Sequence, residues 1–192
     1  MKKVLIIGAS GSLTTIVIEE LKKQNDVELT LFARTKNRIS NIENATVIEG
    51  DATNFEVVKN AVSGQDIVYV NLAGDLDTMS KNIVKAMQDE GVKRIIAISS
   101  IGIFDTPMKP VLKPYRALSD NIENSGLEYT ILRPDWFTNG NEVDYEITHK
   151  GKPEIGGALS RKSIADFVGK LVKNPQDYIR ENLGISKLYI VR

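Results

Sequence analysis

Six short apolar runs punctuate the chain, at residues 4–7, 29–33, 45–48, 67–72, 95–98 and 129–132. They are apolar almost throughout and do not alternate with polar positions, which is the pattern of parallel strands covered on both faces. The segments between them carry helical spacing instead. Leu13, Ile16, Val17 and Leu21 fall on one stripe, as do Phe55, Val58 and Val62, then Met79, Ile83 and Met87. Ile164, Phe167, Val168 and Leu171 repeat the pattern near the end. Thr53-x-x-Glu56 reads as a capping box and Ser163-x-x-Asp166 as a weaker relative. Gly64, Gly91 and Gly126 stand where helices should stop, each just before a strand.

Strand–helix alternation repeated this often predicts an α/β fold: a Rossmann-like, doubly wound parallel sheet in three αβα layers, one domain over residues 1–192. Right-handed crossovers put every strand C-terminus on one edge, and ligands bind there, near the switch in strand order. Two stretches interrupt the rhythm. Residues 101–113 form a long connection containing Pro107 and Pro110. Residues 139–159 form another, with a small hairpin expected to turn at Lys150-Gly151-Lys152. Excursions at the ligand edge usually build the substrate side of such sites.

Composition narrows the chemistry. The 192 residues include no cysteine and one histidine, His149, so neither a disulfide nor a thiolate or histidine-rich metal centre is expected. His149 sits in a polar segment and reads as exposed. Lys plus Arg equal Asp plus Glu at 25 each, and no basic excess points to nucleic acid or an anionic membrane. The apolar run after Met1-Lys2-Lys3 is shorter than the roughly 7–15 residues of a secretory core. No run approaches the ~18 residues that span a bilayer. A cytoplasmic location is therefore expected.

The first strand leads into Gly8-Ala9-Ser10-Gly11-Ser12-Leu13-Thr14. Gly8 permits the tight turn, and Gly11 lets the backbone approach a pyrophosphate. The following helix directs its free N–H groups and dipole at that anion. A glycine motif placed between a strand and an amphipathic helix points to dinucleotide binding, and so to a nicotinamide cofactor. The usual third glycine is Thr14 here, whose bulk should hold the helix further from the sheet. The second strand ends at Arg34, with Thr35, Lys36 and Arg38 behind it. NAD-selective folds place an acid at this point to accept from a ribose hydroxyl, whereas a guanidinium suits a 2′-phosphate. The expectation is NADP(H), with NAD(H) possible. Asp51, in Gly50-Asp51-Ala52-Thr53, stands on the ligand edge, where it either meets the adenine or caps the next helix. Ala73-Gly74 after the fourth strand leaves room for main chain to pass beside the cofactor.

With these residues placed, the chain resembles the atypical short-chain dehydrogenase/reductase superfamily, and within it the small NAD(P)H-binding, NmrA-like and biliverdin/flavin reductase-like proteins. The resemblance rests on residues 4–11, Phe32-Ala33-Arg34, Gly50-Asp51-Ala52, Ile98-Ser99-Ser100 and residues 125–134, which end in Leu132-Arg133-Pro134. Residues 159–168 are similar to the family's closing helix and its entry. The resemblance implies strand order 3-2-1-4-5-6, often with a seventh strand, for which residues 188–191 are a candidate. It also implies phosphate at the glycine loop, base contact at Asp51, and nicotinamide near Ala73, Ser99 and Pro134.

Many members of that superfamily use Ser, Tyr and Lys, the last two as Tyr-x-x-x-Lys, because the lysine activates the phenol. Here Tyr115 is followed four residues later by Ser119. Tyr115 also shares a stripe with Leu118 and Ile122, which favours packing. Ser99 and Ser100 end the fifth strand, where either could polarise a carbonyl or simply bond to nearby backbone. Hydride transfer to a small acceptor such as a flavin, quinone or carbonyl needs little acid chemistry from the protein. The expected function is an NADP(H)-dependent reductase working by direct hydride transfer. Its acceptor would be held by residues 101–113 and 136–141, with Trp136 and Phe137 as an apolar wall. The competing reading is a non-catalytic NADP(H)-binding redox sensor or regulator. A sugar epimerase or dehydratase is disfavoured by the same missing lysine.

Overall fold

The structure, a computed structural model, describes residues 1–39 and 43–187. The expected alternation is present. In chain order the elements are β1 (Lys2–Ile7), α1 (Ser12–Leu21), β2 (Val27–Ala33), β3 (Ala45–Glu49), α2 (Phe55–Val62), β4 (Ile67–Val70), α3 (Leu76–Glu90) and β5 (Arg94–Ile98). They continue with α4 (Lys113–Glu123), β6 (Glu128–Pro134), β7 (Phe137–Thr138), β8 (Glu146–His149), β9 (Leu159–Ser160), α5 (Arg161–Lys173) and β10 (Glu181–Ser186). The main sheet runs β3-β2-β1-β4-β5-β6-β10-β8, so the implied order is found and then extended. Among the described residues only the β10–β8 pairing is antiparallel.

Each strand's alternate residues feed different cores. Val4 and Ile6 join Leu13, Val17 and Leu21 of α1 and Ile164, Val168 and Leu171 of α5 on one face. Leu5 and Ile7 join Val58 and Val62 of α2, Ile83 and Met87 of α3, and Leu118 and Ile122 of α4 on the other. All four β1 residues from Val4 to Ile7 are fully buried, which explains a run without polar alternation.

Several expectations need correction. The seventh parallel strand is β10, paired to β6 from Glu181 to Ile185; residues 188–191 lie outside the described residues. The fourth strand ends at Val70, two residues earlier than its apolar run, because Asn71 and Leu72 turn into the ligand edge. Helix α2 is capped by Asn54, whose side chain accepts from Val57 N–H, and not by Thr53. Helix α5 is capped by Ser160, which accepts from Ser163 N–H. In both cases the residue with extended backbone immediately before the helix takes the role, one position after the expected residue in α2 and three positions before it in α5. No hairpin forms around Lys150-Gly151-Lys152. The turn exists, with Lys152 N–H on His149 O at 3.2 Å, but the strand before it, β8, pairs with β10. The second excursion instead closes on itself through β7 and β9, a small parallel pair.

Candidate functional site

The glycine loop sits where β1 delivers it. Gly8 has φ +94°, and a Cβ there would come within 2.0 Å of the Asn71 carbonyl oxygen, so no other residue fits. The N–H groups of Gly8 and Ala9 both bond to Phe32 O, at 3.0 and 3.1 Å. Gly11 is the N-cap of α1 and supplies no side chain to cap it, and the first turn holds no acid. The first helical bond runs from Thr15 N–H to Gly11 O. Gly11 N–H bonds Gly8 O at 3.1 Å, which leaves the amides of Ser12, Leu13 and Thr14 as the helix's unpaired N-terminal donors, at the positive end of its dipole.

These groups form one wall of a cleft of about 510 Å³. Ser10, Gly11, Ser12 and Leu13 line it from the loop, Arg34 from the end of β2, Asp51 and Ala52 from the end of β3, and Ala73 and Gly74 from beyond β4. Asp51 Oδ1 accepts from Thr53 N–H at 2.9 Å and from the Thr53 hydroxyl at 2.8 Å. Those bonds, helped by the charge of Arg34, hold its carboxyl below the ordinary range against a desolvation cost. Asp51 thus braces its own turn and keeps its second oxygen for the cleft. Arg34 is exposed and has no carboxylate within 4 Å among the described residues.

A second cleft of about 480 Å³ continues past Asn71, Tyr115 and Phe137, which border both. Ser99, Ser100, Ile101, Leu112, Pro134 and Trp136 line it, with Lys109 and Val111 at its lip. Its walls are mainly apolar. Trp136 is 82% exposed and Val111 71%, so the lip presents large hydrophobic groups to solvent. Asp135 holds the floor, its two oxygens accepting from Trp136 N–H (2.8 Å) and Gly157 N–H (2.9 Å).

The hydroxyls beside this cleft are unequally engaged. Ser99 is buried; it donates to the Tyr115 carbonyl at 3.1 Å and accepts from Ser119 at 3.0 Å. Ser119, at the position a lysine would occupy, is fully buried and serves this chain of bonds. Ser100 donates to Ile101 O at 3.2 Å. The Tyr115 phenol has no hydrogen-bond partner among the described residues.

Behind the cleft, an ion pair ties β6 to the second excursion, and its carboxylate also reaches the first. Arg133 is 1% exposed, and its Nε donates to Glu154 Oε1 at 2.5 Å. Glu154 Oε2 accepts from Gly102 N–H at 2.9 Å. Arg133 Nη1 bonds the carbonyl oxygen and Oδ1 of Asn182 on β10. The Phe104 ring lies about 5 Å from the guanidinium groups of Arg133 and Arg116 and 4.7 Å from the Lys150 ammonium.

A family of NAD(P)H-binding domains matches residues 8–175, from the first loop glycine to beyond α5. The chain belongs to this NAD(P)H-binding family. Its resemblance to atypical short-chain dehydrogenase/reductases holds across the whole architecture. A Rossmann-fold NAD(P)-binding family protein from Shigella flexneri is 43% identical, with TM-score 0.89 over 97% of this chain and 94% of that one. A short-chain dehydrogenase/reductase from Veillonella parvula, solved in complex with NADP, is 26% identical, with TM-score 0.88 over the same shares. An isoflavone reductase homolog from Nicotiana tabacum is 26% identical over 84% of this chain; the chain spans only 59% of the tobacco protein.

Against that family pattern, the residues singled out from sequence separate into groups. Gly8, Ser10, Gly11, Ser12, Leu13, Arg34, Asp51, Ala52, Ala73 and Gly74 line the first cleft. Ser99, Ser100 and Pro134 line the second, and Tyr115 borders both. Ala9 lines neither. It is 1% exposed and packs in the core, with its N–H bonded to Phe32 O. His149 is exposed and pairs with Glu181 at 3.2 Å, far from either cleft in the sheet order. Sequence reasoning missed Asn71 as an individual residue. Its position just after a strand on the ligand edge was the available signal. It also missed the Arg133–Glu154 pair, because 21 residues of excursion separate the partners. Thr14 does not simply push the helix outward; it is fully buried and bonded to Asn71.

Proposed function

We propose that this NAD(P)H-binding protein is an NADP(H)-dependent reductase of a small, largely apolar acceptor, of the flavin, quinone or carbonyl type. The observation that carries the reading is the continuity of the two clefts at Asn71, Tyr115 and Phe137. One has a mixed polar and apolar lining and is edged by the N-terminal amides of α1; the other is mainly apolar. The residues fit the nucleotide: a glycine turn that tolerates no Cβ, an uncapped helix N-terminus, and a cationic rather than acidic end to β2. Arg34 would hold a 2′-phosphate, with Asp51 facing the base and the outward amides of α1 the pyrophosphate.

A bound dihydronicotinamide supplies the hydride, so the protein's part is binding, orientation and water exclusion. Phe137 and Pro134 restrict the acceptor to the face beyond Asn71. Trp136 and Val111 cover it from outside. Ser99 already donates to backbone and accepts from Ser119, so it fixes the start of α4. Tyr115 is then the hydroxyl left to polarise the acceptor or deliver a proton to it, and Ser100 can do so by exchanging its bond to Ile101 O. Ser119 in the lysine position favours one other reading, a regulator that binds NADP(H) without turnover.

Titrating the purified protein with NADPH and NADH, then offering flavins, quinones and small carbonyls, tests the proposal. Preference for NADPH that Arg34→Ala abolishes, and turnover reduced by Tyr115→Phe or Ser100→Ala, are the expected results. Tight NADPH binding with no turnover on any acceptor would remove the reductase half and leave the regulator.

A further inference from the structure

The position of the usual third glycine holds Thr14, buried in the first turn of α1. Its Oγ1 accepts a hydrogen bond from Nδ2 of Asn71 at 3.0 Å. The pair lies directly under the loop. A Cβ built on Gly11 would stand 3.3 Å from Thr14 Oγ1 and 3.8 Å from Asn71 Nδ2. On the far side lies Tyr69, fully buried alongside Thr14 without a well-aligned hydrogen bond of its own. The hydroxyl therefore works in a dry setting, where the loss of a partner is felt strongly.

Asn71 is held elsewhere as well. Its N–H bonds Ile7 O at 3.0 Å, and its carbonyl is pressed against Gly8. The freedom left to it is rotation of the side chain, and the bond to Thr14 removes that. With Nδ2 turned to Thr14, Oδ1 has no donor among the described residues, and Asn71 lines the border shared by both clefts. A glycine at position 14 would leave the carboxamide without this partner.

We propose that Thr14 is a positioning residue: it locks the Asn71 carboxamide so that Oδ1 faces the junction of the clefts and accepts a hydrogen bond from a hydroxyl or amide N–H of the nicotinamide riboside half of the cofactor. This inference rests on the cofactor reading above. It makes Thr14 a functional replacement for the glycine rather than a tolerated defect.

The test is a fluorescence titration of NADPH into wild type, Thr14→Val, Thr14→Ser, Thr14→Gly, Asn71→Ala and the Thr14→Val/Asn71→Ala double variant, each checked by thermal melting. Thr14→Val and Asn71→Ala should each weaken binding about five- to tenfold, the range of one hydrogen bond. The double variant should be no weaker than the weaker single, because both remove the same bond. Thr14→Ser should stay within about twofold of wild type. Thr14→Gly, although it restores the common pattern, should weaken binding. If Thr14→Val does not fold, Thr14→Ala takes its place in the cycle. Wild-type affinity in Thr14→Val or Thr14→Gly, additive losses, or Thr14→Ser as weak as Thr14→Val would each overturn the proposal. A wild type that binds neither NADPH nor NADH defeats the cofactor reading itself, and this inference with it. That outcome is visible in the wild-type curve alone.

Discussion

The cleft proposed for the nucleotide and the cleft proposed for the acceptor share three residues but are built in different ways. The first is placed by main chain: a glycine turn, a helix N-terminus, and the residues after β1, β2 and β3. The second is walled by the end of β5, the first excursion, Tyr115 of α4 and the residues around the end of β6, which Arg133, Glu154 and Asn182 tie together. A main-chain site depends on where strands end, which any sequence with this alternation sets in the same place. A side-chain site depends on which residues the excursions carry, so it varies freely on one scaffold. Binding of the cofactor is accordingly the firmer property, and the acceptor the more individual one.

That contrast is open to attack at both ends. The largest effect is expected at Gly8. Gly8→Ala places a Cβ 2.0 Å from the Asn71 carbonyl at φ +94°, so β4 must shift. A loss of about 4 kcal/mol or more of stability is expected, together with loss of NADPH binding, by chemical denaturation and titration. Unchanged affinity in a folded Gly8→Ala protein would mean that the loop is not the cofactor's seat.

Next comes the scaffold of the acceptor side. Glu154→Ala leaves the buried Arg133 guanidinium without its counter-ion and Gly102 N–H without its acceptor. Breaking a buried pair in this way should cost about 3 kcal/mol, the lower end of the usual range. Glu154 keeps partial solvent contact, at 19% exposure, which is the reason for the lower end. The comparison predicts that acceptor KM rises while NADPH affinity holds. Equal damage to both would show the two clefts to be one mechanical unit.

Arg34→Ala removes one charged contact from the first cleft. NADPH should bind about 10–100-fold more weakly, with NADH nearly unchanged, the range of a hydrogen bond to a charged group. Trp136→Ala should have the smallest effect on the fold. The side chain is 82% exposed, so stability should stay within about 0.5 kcal/mol while acceptor KM rises several-fold. A Trp136→Ala protein with unaltered kinetics on every acceptor would move the proposed acceptor site away from this lip.

Much of the first cleft was legible along the chain. Gly8, Gly11, Arg34 and Asp51 each follow a strand, and a run of apolar residues marks where that strand stops. The limits of such reading show at the ends of elements. The caps lie at Asn54 and Ser160 because capping depends on local backbone direction, which several polar residues in a row leave undetermined. The strand pairing of β8 was invisible for a related reason. Its partner β10 lies more than thirty residues away, and a four-residue edge strand with a single buried residue carries little periodic signal.

The division at Tyr115 is similar. Its stripe with Leu118 and Ile122 placed it on the inner face of a helix, and it does pack against that core. That its phenol also borders both clefts follows from how α4 lies across the end of β5, which spacing does not encode. By itself the sequence determined the αβ alternation, the order of the first six strands through its likeness to a family, and the glycine turn between β1 and α1, because hydrophobic period and glycine placement are local properties. Tertiary structure alone decided that Thr14 and Asn71 meet, that Arg133 finds Glu154, and that Ser99 is already bonded. Those are contacts between side chains brought together by folding, and their geometry exists only once the sheet has brought distant segments to one edge.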